Sequence, residues 1–139
     1  MLAGHKTLNY FEHVQAKRAA VSAGFDEALW VDAAGRVLEG ATTNVFAVFP
    51  DEVVTPDARA GLLPGVARSV VLRLAMTRAI REATLSIERL EAAEEIFVTN
   101  ALMGVMPVRA IDGRVWDVAR ARVTREIASA FECEASGRF

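Results

Sequence analysis

The sequence predicts an α+β domain, or a mixed α/β one, with a sheet at its centre. Three observations support that class. Along 139 residues the hydrophobic period switches repeatedly between the helical repeat and the strand repeat. Short strand-like runs are separated by turn signals at Asp32-Ala33-Ala34-Gly35, Pro50-Asp51 and Asp112-Gly113. Hydrophobic residues are 53% of the chain and charged residues 24%, which is enough apolar material for one core without a disulfide or metal. Strand runs interleaved with helical ones then favour a sheet covered by helices.

Each element follows in order. A helix is expected from Tyr10 to Ala23, with Phe11, Val14 and several alanines on one side and Gly24 as its stop. Ala28-Leu29-Trp30-Val31 and Arg36-Val37-Leu38-Glu39 read as a hairpin around the Asp32–Gly35 turn. Thr43 to Val48 is a third strand and Glu52 to Thr55 a fourth. Pro56 to Gly65, with two prolines and two glycines, reads as an exposed loop. From Val66 the positions Val66, Val70, Val71 and Leu74 mark one face of a helix ending near Ala79. Leu85 to Leu90 is expected as a strand, Glu91 to Glu94 as a helical turn, and Glu95 to Thr99 as a buried strand. Asn100 to Gly104 is a loop before a strand from Val105 to Ile111. Asp117 is placed to cap a last helix whose inward face uses Val118, Val123, Ile127 and Phe131. The division is one domain over 1–131 and a frayed tail over 132–139.

A net charge of −2 argues against a protein that grips a nucleic-acid backbone. Apolar runs such as Val45 to Phe49 stop far short of the ~20 residues of a membrane span. Cys133 is a single cysteine and the first ten residues lack a signal-peptide core, so a cytoplasmic protein is expected. His5 and His13 have no carboxylate cluster at ligand spacing and read as surface histidines, so no metal is expected. There is no G-x-S-x-G elbow, P-loop or dinucleotide fingerprint.

Four segments carry chemistry instead. Lys6-Thr7-Leu8-Asn9-Tyr10 puts a lysine before a helix, and of the 16 basic residues only Lys6 and Lys17 are lysine. A desolvated lysine can become a neutral amine and condense with a carbonyl, which arginine cannot. Glu39 to Phe46 sets a carboxylate at a strand end beside hydroxyl and amide groups. Gly61 to Arg68 is a Gly/Pro turn feeding a helix, whose first N–H groups are free for an anion. Thr99-Asn100-Ala101-Leu102 is a polar loop after a buried strand. Amine, acid and phosphate cradle together are what pyridoxal phosphate requires.

The segments HKTLNYFEHV, EALWVDAAGRVLEGATTNVF, VVTP, GLLPGVAR and EEIFVTNALMGVMPVRAIDG, in that order, resemble the class IV aminotransferases, the fold-type IV pyridoxal-phosphate enzymes. The resemblance runs from Lys6 to about Trp116. It implies the cofactor-binding domain of the D-amino acid aminotransferase-like fold, with a mainly antiparallel sheet or pseudo-barrel and flanking helices. It makes Lys6 the Schiff-base lysine and the acid/base for the substrate proton, and Glu39 the partner of the pyridine nitrogen. Tyr10 would hydrogen-bond the cofactor phenolate oxygen, although its interval from the lysine is one residue shorter than in branched-chain enzymes. The amides of Val66 and Ala67 would hold phosphate, with Asn100 and Ala101 on the other side of the pocket. Arg68 belongs to the motif and would serve the fold rather than the cofactor.

Ala67 and Ala101 stand where transaminases of this family usually carry hydroxyl residues, and the stretch from Thr99 to Val108 looks more like the 4-amino-4-deoxychorismate lyases. The resemblance therefore leans towards a lyase that eliminates pyruvate to leave 4-aminobenzoate, with a branched-chain or D-amino acid aminotransferase as the alternative. A non-catalytic assembly domain is a third reading. Family members carry an N-terminal domain before this lysine, and the resemblance implies the C-terminal domain alone, with that N-terminal domain expected to be absent. A small amino substrate, a homodimer and a separate N-terminal domain are the expected partners.

Overall fold

The computed structural model describes residues 10–137. Helix α1 (Phe11–Ser22) leads into strands β1 (Leu29–Val31) and β2 (Val37–Gly40), an antiparallel pair. Their turn is built by Asp32, whose Oδ1 accepts from the amides of Ala34 and Arg36, both at 2.9 Å, while Gly35 takes φ 75°. That positive φ is a conformation only glycine adopts without strain. Two paired hydrogen bonds and the Arg36 guanidinium hold the Asp32 carboxyl below its ordinary range.

The centre is a five-stranded sheet. Strands β3 (Asn44–Val48), β4 (Glu52–Pro56), β5 (Ala79–Ala83), β6 (Glu95–Asn100) and β7 (Gly104–Pro107) lie in the order β5-β4-β3-β6-β7. Every pairing is antiparallel except β4 with β5. A parallel neighbour needs a crossover, and helix α2 (Val66–Arg73) supplies it. Helix α3 (Ile87–Glu91), the hairpin of β8 (Ala110–Ile111) with β9 (Arg114–Val115), and helix α4 (Arg122–Ala135) complete the chain.

Strand β3 is buried on both faces, so it reads as a continuous apolar run rather than an alternation. Val45 and Ala47 enter one core with Val37, Leu85, Leu90, Ile96 and Trp116. Phe46 and Val48 enter the other with Val53, Val71, Phe97, Val123 and Ile127. Phe46 and Phe97 are paired across β3 and β6 and stack at 4.7 Å, which fixes the register at the sheet centre.

Several expectations change. The helix from Val66 ends at Arg73, and 79–83 is a strand. Strand β5 lies at the sheet edge and pairs only with β4, so its Ala-Ile-Arg-Glu-Ala sequence carries charge instead of an apolar stripe. Ion pairs from Arg81 to Glu52 tie it to β4. Val66 is 77% exposed, and the inward face of α2 is Ala67, Arg68 and Val71.

Residues 87–91 are a helix, not a strand. Ser86 caps it by accepting from the Arg89 amide at 3.2 Å, and Leu90 turns inward one helical turn after Ile87. The expected final strand divides into β7 and β8. Asp117 caps only a short 3-10 turn, Val118–Arg120. The first turn of α4 is instead satisfied by Glu95, whose carboxylate accepts from Val123 N at 3.0 Å and Thr124 N at 2.7 Å. Val118 is exposed, and α4 continues past Phe131 to Ala135. Residues 57–65 form a loop, but not a wholly exposed one, since Leu62 is fully buried. Helix α1 buries none of its residues, so Phe11 and Val14 face outward. Among the described residues, no helix is long and apolar enough to cross a membrane, and no acidic, histidine or cysteine group could hold a metal.

Candidate active site

Strand β2 ends where β3 begins to enter the sheet, and the loop before α2 returns to the same place. Glu39 is half-buried on β2 and accepts from the Leu63 amide at 3.1 Å through Oε2. Among the described residues nothing donates to its Oε1. Burial pushes its carboxyl above the ordinary 4.5, and the Leu63 amide, His13 and Arg68 oppose that shift. The result is an acceptor with one oxygen fixed and one that has no donor among the described residues.

Asn44, 6% exposed at the start of β3, joins Glu39 to the helix. Its Nδ2 donates to Leu63 O at 2.8 Å and lies 3.5 Å from Glu39 Oε2, while its Oδ1 accepts from Gly65 N at 3.2 Å. A Cβ on Gly65 would meet that Oδ1 at 2.5 Å, so only glycine lets the backbone approach. Gly65 is the N-cap of α2, and the amides of Val66 and Ala67 beyond it have no acceptor among the described residues. A free helix N-terminus therefore stands beside the carboxylate, held there by one carboxamide.

A second group lies on the loop between β2 and β3. The Tyr10 hydroxyl donates to Ala41 O at 3.1 Å, and His13 Nδ1–H donates to the same oxygen at 3.0 Å. The two rings stack at 4.1 Å, with Trp30 tilted against His13 at 5.4 Å. Burial, then the charges of Glu39 and Glu27, push the Tyr10 hydroxyl up, so it remains a donor. Glu27 holds the loop from beneath, accepting from the Thr42 amide at 3.1 Å and the Thr42 hydroxyl at 2.6 Å. On the far side Asn100 Oδ1 accepts from the amides of Leu102 and Met103, and its Nδ2 lies 3.4 Å from Thr42 O. The Asn100 carboxamide thus shapes the loop that carries exposed Ala101.

Of the expected residues, Lys6 lies outside the described ones. Glu39, Val66 and Ala67 meet around Asn44, while Tyr10 and Asn100 meet the 41–42 backbone next to Glu39 in the chain. Asn44, His13 and Glu27 escaped the sequence reading as individual site residues. Only the position of Asn44 within Glu39 to Phe46 pointed to it. His13 read as a surface histidine because the Trp30 ring tilted against it and the Ala41 carbonyl it donates to are 17 and 28 residues away.

The donor set fits a phosphorylated pyridine: a free carboxylate oxygen for a ring N–H, and unpartnered amides on a helix N-terminus for phosphate. A separate cavity of about 410 Å³, lined by Met76, Arg78, Arg122 and Glu126 among others, opens beyond the other end of α2 and includes none of these residues.

Comparison with known proteins is consistent with that donor set. The family model for amino-transferase class IV matches residues 1–111. A putative branched-chain-amino-acid aminotransferase of Methanocaldococcus jannaschii is 40% identical over 112 residues, covering 79% of this chain and 39% of that protein. The branched-chain amino acid aminotransferase of Thermobaculum terrenum, solved in its PLP form, superposes with a TM-score of 0.91 at 26% identity, over 100% of this chain and 47% of its own. A putative 4-amino-4-deoxychorismate lyase of Legionella pneumophila gives 0.89 at 27% identity, over 94% and 49%. This chain thus spans less than half the length of each. It belongs to the class IV amino-transferase family.

Proposed function

We propose that this chain is the cofactor-holding part of a pyridoxal-phosphate enzyme acting on an amino substrate. The observation that carries this reading is the coupling of Glu39 to the free N-terminus of α2 through Asn44. When bound, the cofactor supplies an electron sink for cleaving a bond beside the substrate nitrogen. Glu39 Oε1 accepts the ring N–H and keeps the proton there. Val66 and Ala67 donate to phosphate, aided by the helix dipole. Tyr10, its proton given to Ala41 O, would offer the cofactor a hydroxyl oxygen, and Lys6 would anchor the cofactor and move the substrate proton.

We take the reaction to be transamination, as the name of the archaeal relative suggests. The lyase reading, towards which the motifs lean, keeps two supports: Ala67 and Ala101 lack hydroxyls, and the Legionella protein is among the similar structures. A homodimer and a separate N-terminal partner belong to the same proposal, supported by the exposed apolar residues of α1; a cytoplasmic setting is proposed with them from the single cysteine. Assembly without catalysis is its rival.

Adding pyridoxal phosphate to the purified chain is expected to give a yellow absorbance that Lys6→Ala abolishes. Absence of a lysine-dependent band overturns the cofactor reading and leaves assembly. Amino transfer from glutamate to a branched 2-oxo acid, against release of 4-aminobenzoate, separates the two enzymes.

A further inference from the structure

We infer that Arg68 is a positioning residue, whose buried guanidinium, with Glu82, moors the first turn of α2 so that the Val66 and Ala67 amides remain presented to an anion. The anion's identity rests on the proposed cofactor site; the mooring does not. Arg68 is 3% exposed although its charge is permanent. Its Nη2 donates to Pro56 O at 2.8 Å and to the Glu82 carboxylate. Glu82 Oε1 also accepts from the Ala58 amide at 3.2 Å. Pro56 ends β4, Ala58 lies at the start of the loop, and Glu82 belongs to β5, so the guanidinium and its carboxylate partner together gather three segments onto α2.

The loop is thereby clamped at both ends. Arg68 and Glu82 secure its departure from β4, and Asn44 secures its arrival at Gly65. Without the first clamp, residues 57–65 would be held by Asn44, Glu39 and local turns alone. Nη2 is committed to protein acceptors while Nε is buried without a partner among the described residues, so a direct phosphate contact is the rival that the variants below separate. Lysine is a poor substitute, since a buried ammonium sheds its proton readily while the guanidinium keeps its charge beside Glu82. The pair is buried on the arginine side only, since 41% of the Glu82 side chain is exposed, so its contribution to stability is small and its use is to specify geometry.

Amide hydrogen exchange of the cofactor-free chain, read for wild type, Arg68→Gln, Arg68→Lys and Glu82→Gln, tests the mooring. All three variants are expected to exchange about tenfold faster across residues 57–67, with β3 unchanged, as local opening requires. Pyridoxal phosphate should then bind about tenfold more weakly to each variant, while pyridoxal, which lacks the phosphate, binds as to wild type. Unchanged exchange across 57–67, or an equal rise throughout the chain, overturns the mooring. Loss of phosphate affinity in the Arg68 variants but not in Glu82→Gln overturns it in favour of a direct contact. Should wild type bind no pyridoxal phosphate, the cofactor reading fails and the exchange result alone decides the mooring.

Discussion

Glu39 shows how a functional carboxylate is maintained against its own burial. Its raised value means the folded state holds the proton more tightly than the unfolded chain. Its contribution to stability is therefore complete below 4.5 and is lost as pH rises through the higher folded value. Glu39→Gln keeps an oxygen for the Leu63 amide and removes the desolvated charge. The variant should melt above wild type at neutral pH, and the gap should close as pH falls into the carboxylate range. Calorimetry across pH checks this, and a variant that melts below wild type at pH 7 would count against it. Glu39 was legible because it precedes a recognisable Gly-Ala-Thr-Thr-Asn run. What Asn44 does was not, because its carboxamide reaches Leu63 and Gly65 across 19 and 21 residues, and no local pattern encodes that reach.

At the scale of elements, α4 is started by a side chain from another strand. Its N-cap, Ala121, offers no side-chain acceptor, and Glu95 of β6 takes the two amides and the Thr124 hydroxyl. Glu95→Ala is expected to lower stability by about 1–2 kcal/mol, the usual worth of a lost cap. Asp117→Ala, which releases only a 3-10 turn, should cost well under half of that. Urea denaturation of both variants decides which residue caps the helix. Sequence favoured Asp117 because caps are sought next to the helix they serve. Strand β5 was missed for a related reason: an edge strand with one neighbour needs no apolar alternation, and Ala, Arg and Glu look helical.

Taken whole, the molecule has two cores on either side of one sheet and an apolar surface on α1 that neither core uses. Phe11 is 65% exposed, Val14 44% and Val21 58%, all on one helix that has no fully buried residue among the described ones. Under the proposed assembly, the double variant Phe11→Ser, Val21→Ser should shift sedimentation towards the monomer, and its melting temperature should equal that of wild type at concentrations where wild type is also monomeric. The reason is that both side chains already face solvent in the isolated fold. A wild-type chain that remains monomeric at every concentration removes the homodimer.

By itself the sequence determined the α+β class, the first four strands to within about a residue and the family, since turn residues and local periodicity specify neighbours along the chain. It also marked Glu39 and the Gly65–Ala67 turn as chemistry. Only the tertiary structure decided that β5 closes the sheet in parallel and that Glu95 starts α4. The joining of Glu39 to α2 by Asn44, and of α2 to β5 by Arg68, emerged only there as well. Each of those depends on a polar side chain meeting a backbone or carboxylate far away in sequence. Such a contact is selected by burial, where an unpaired polar group is expensive, and burial exists only once the chain has folded.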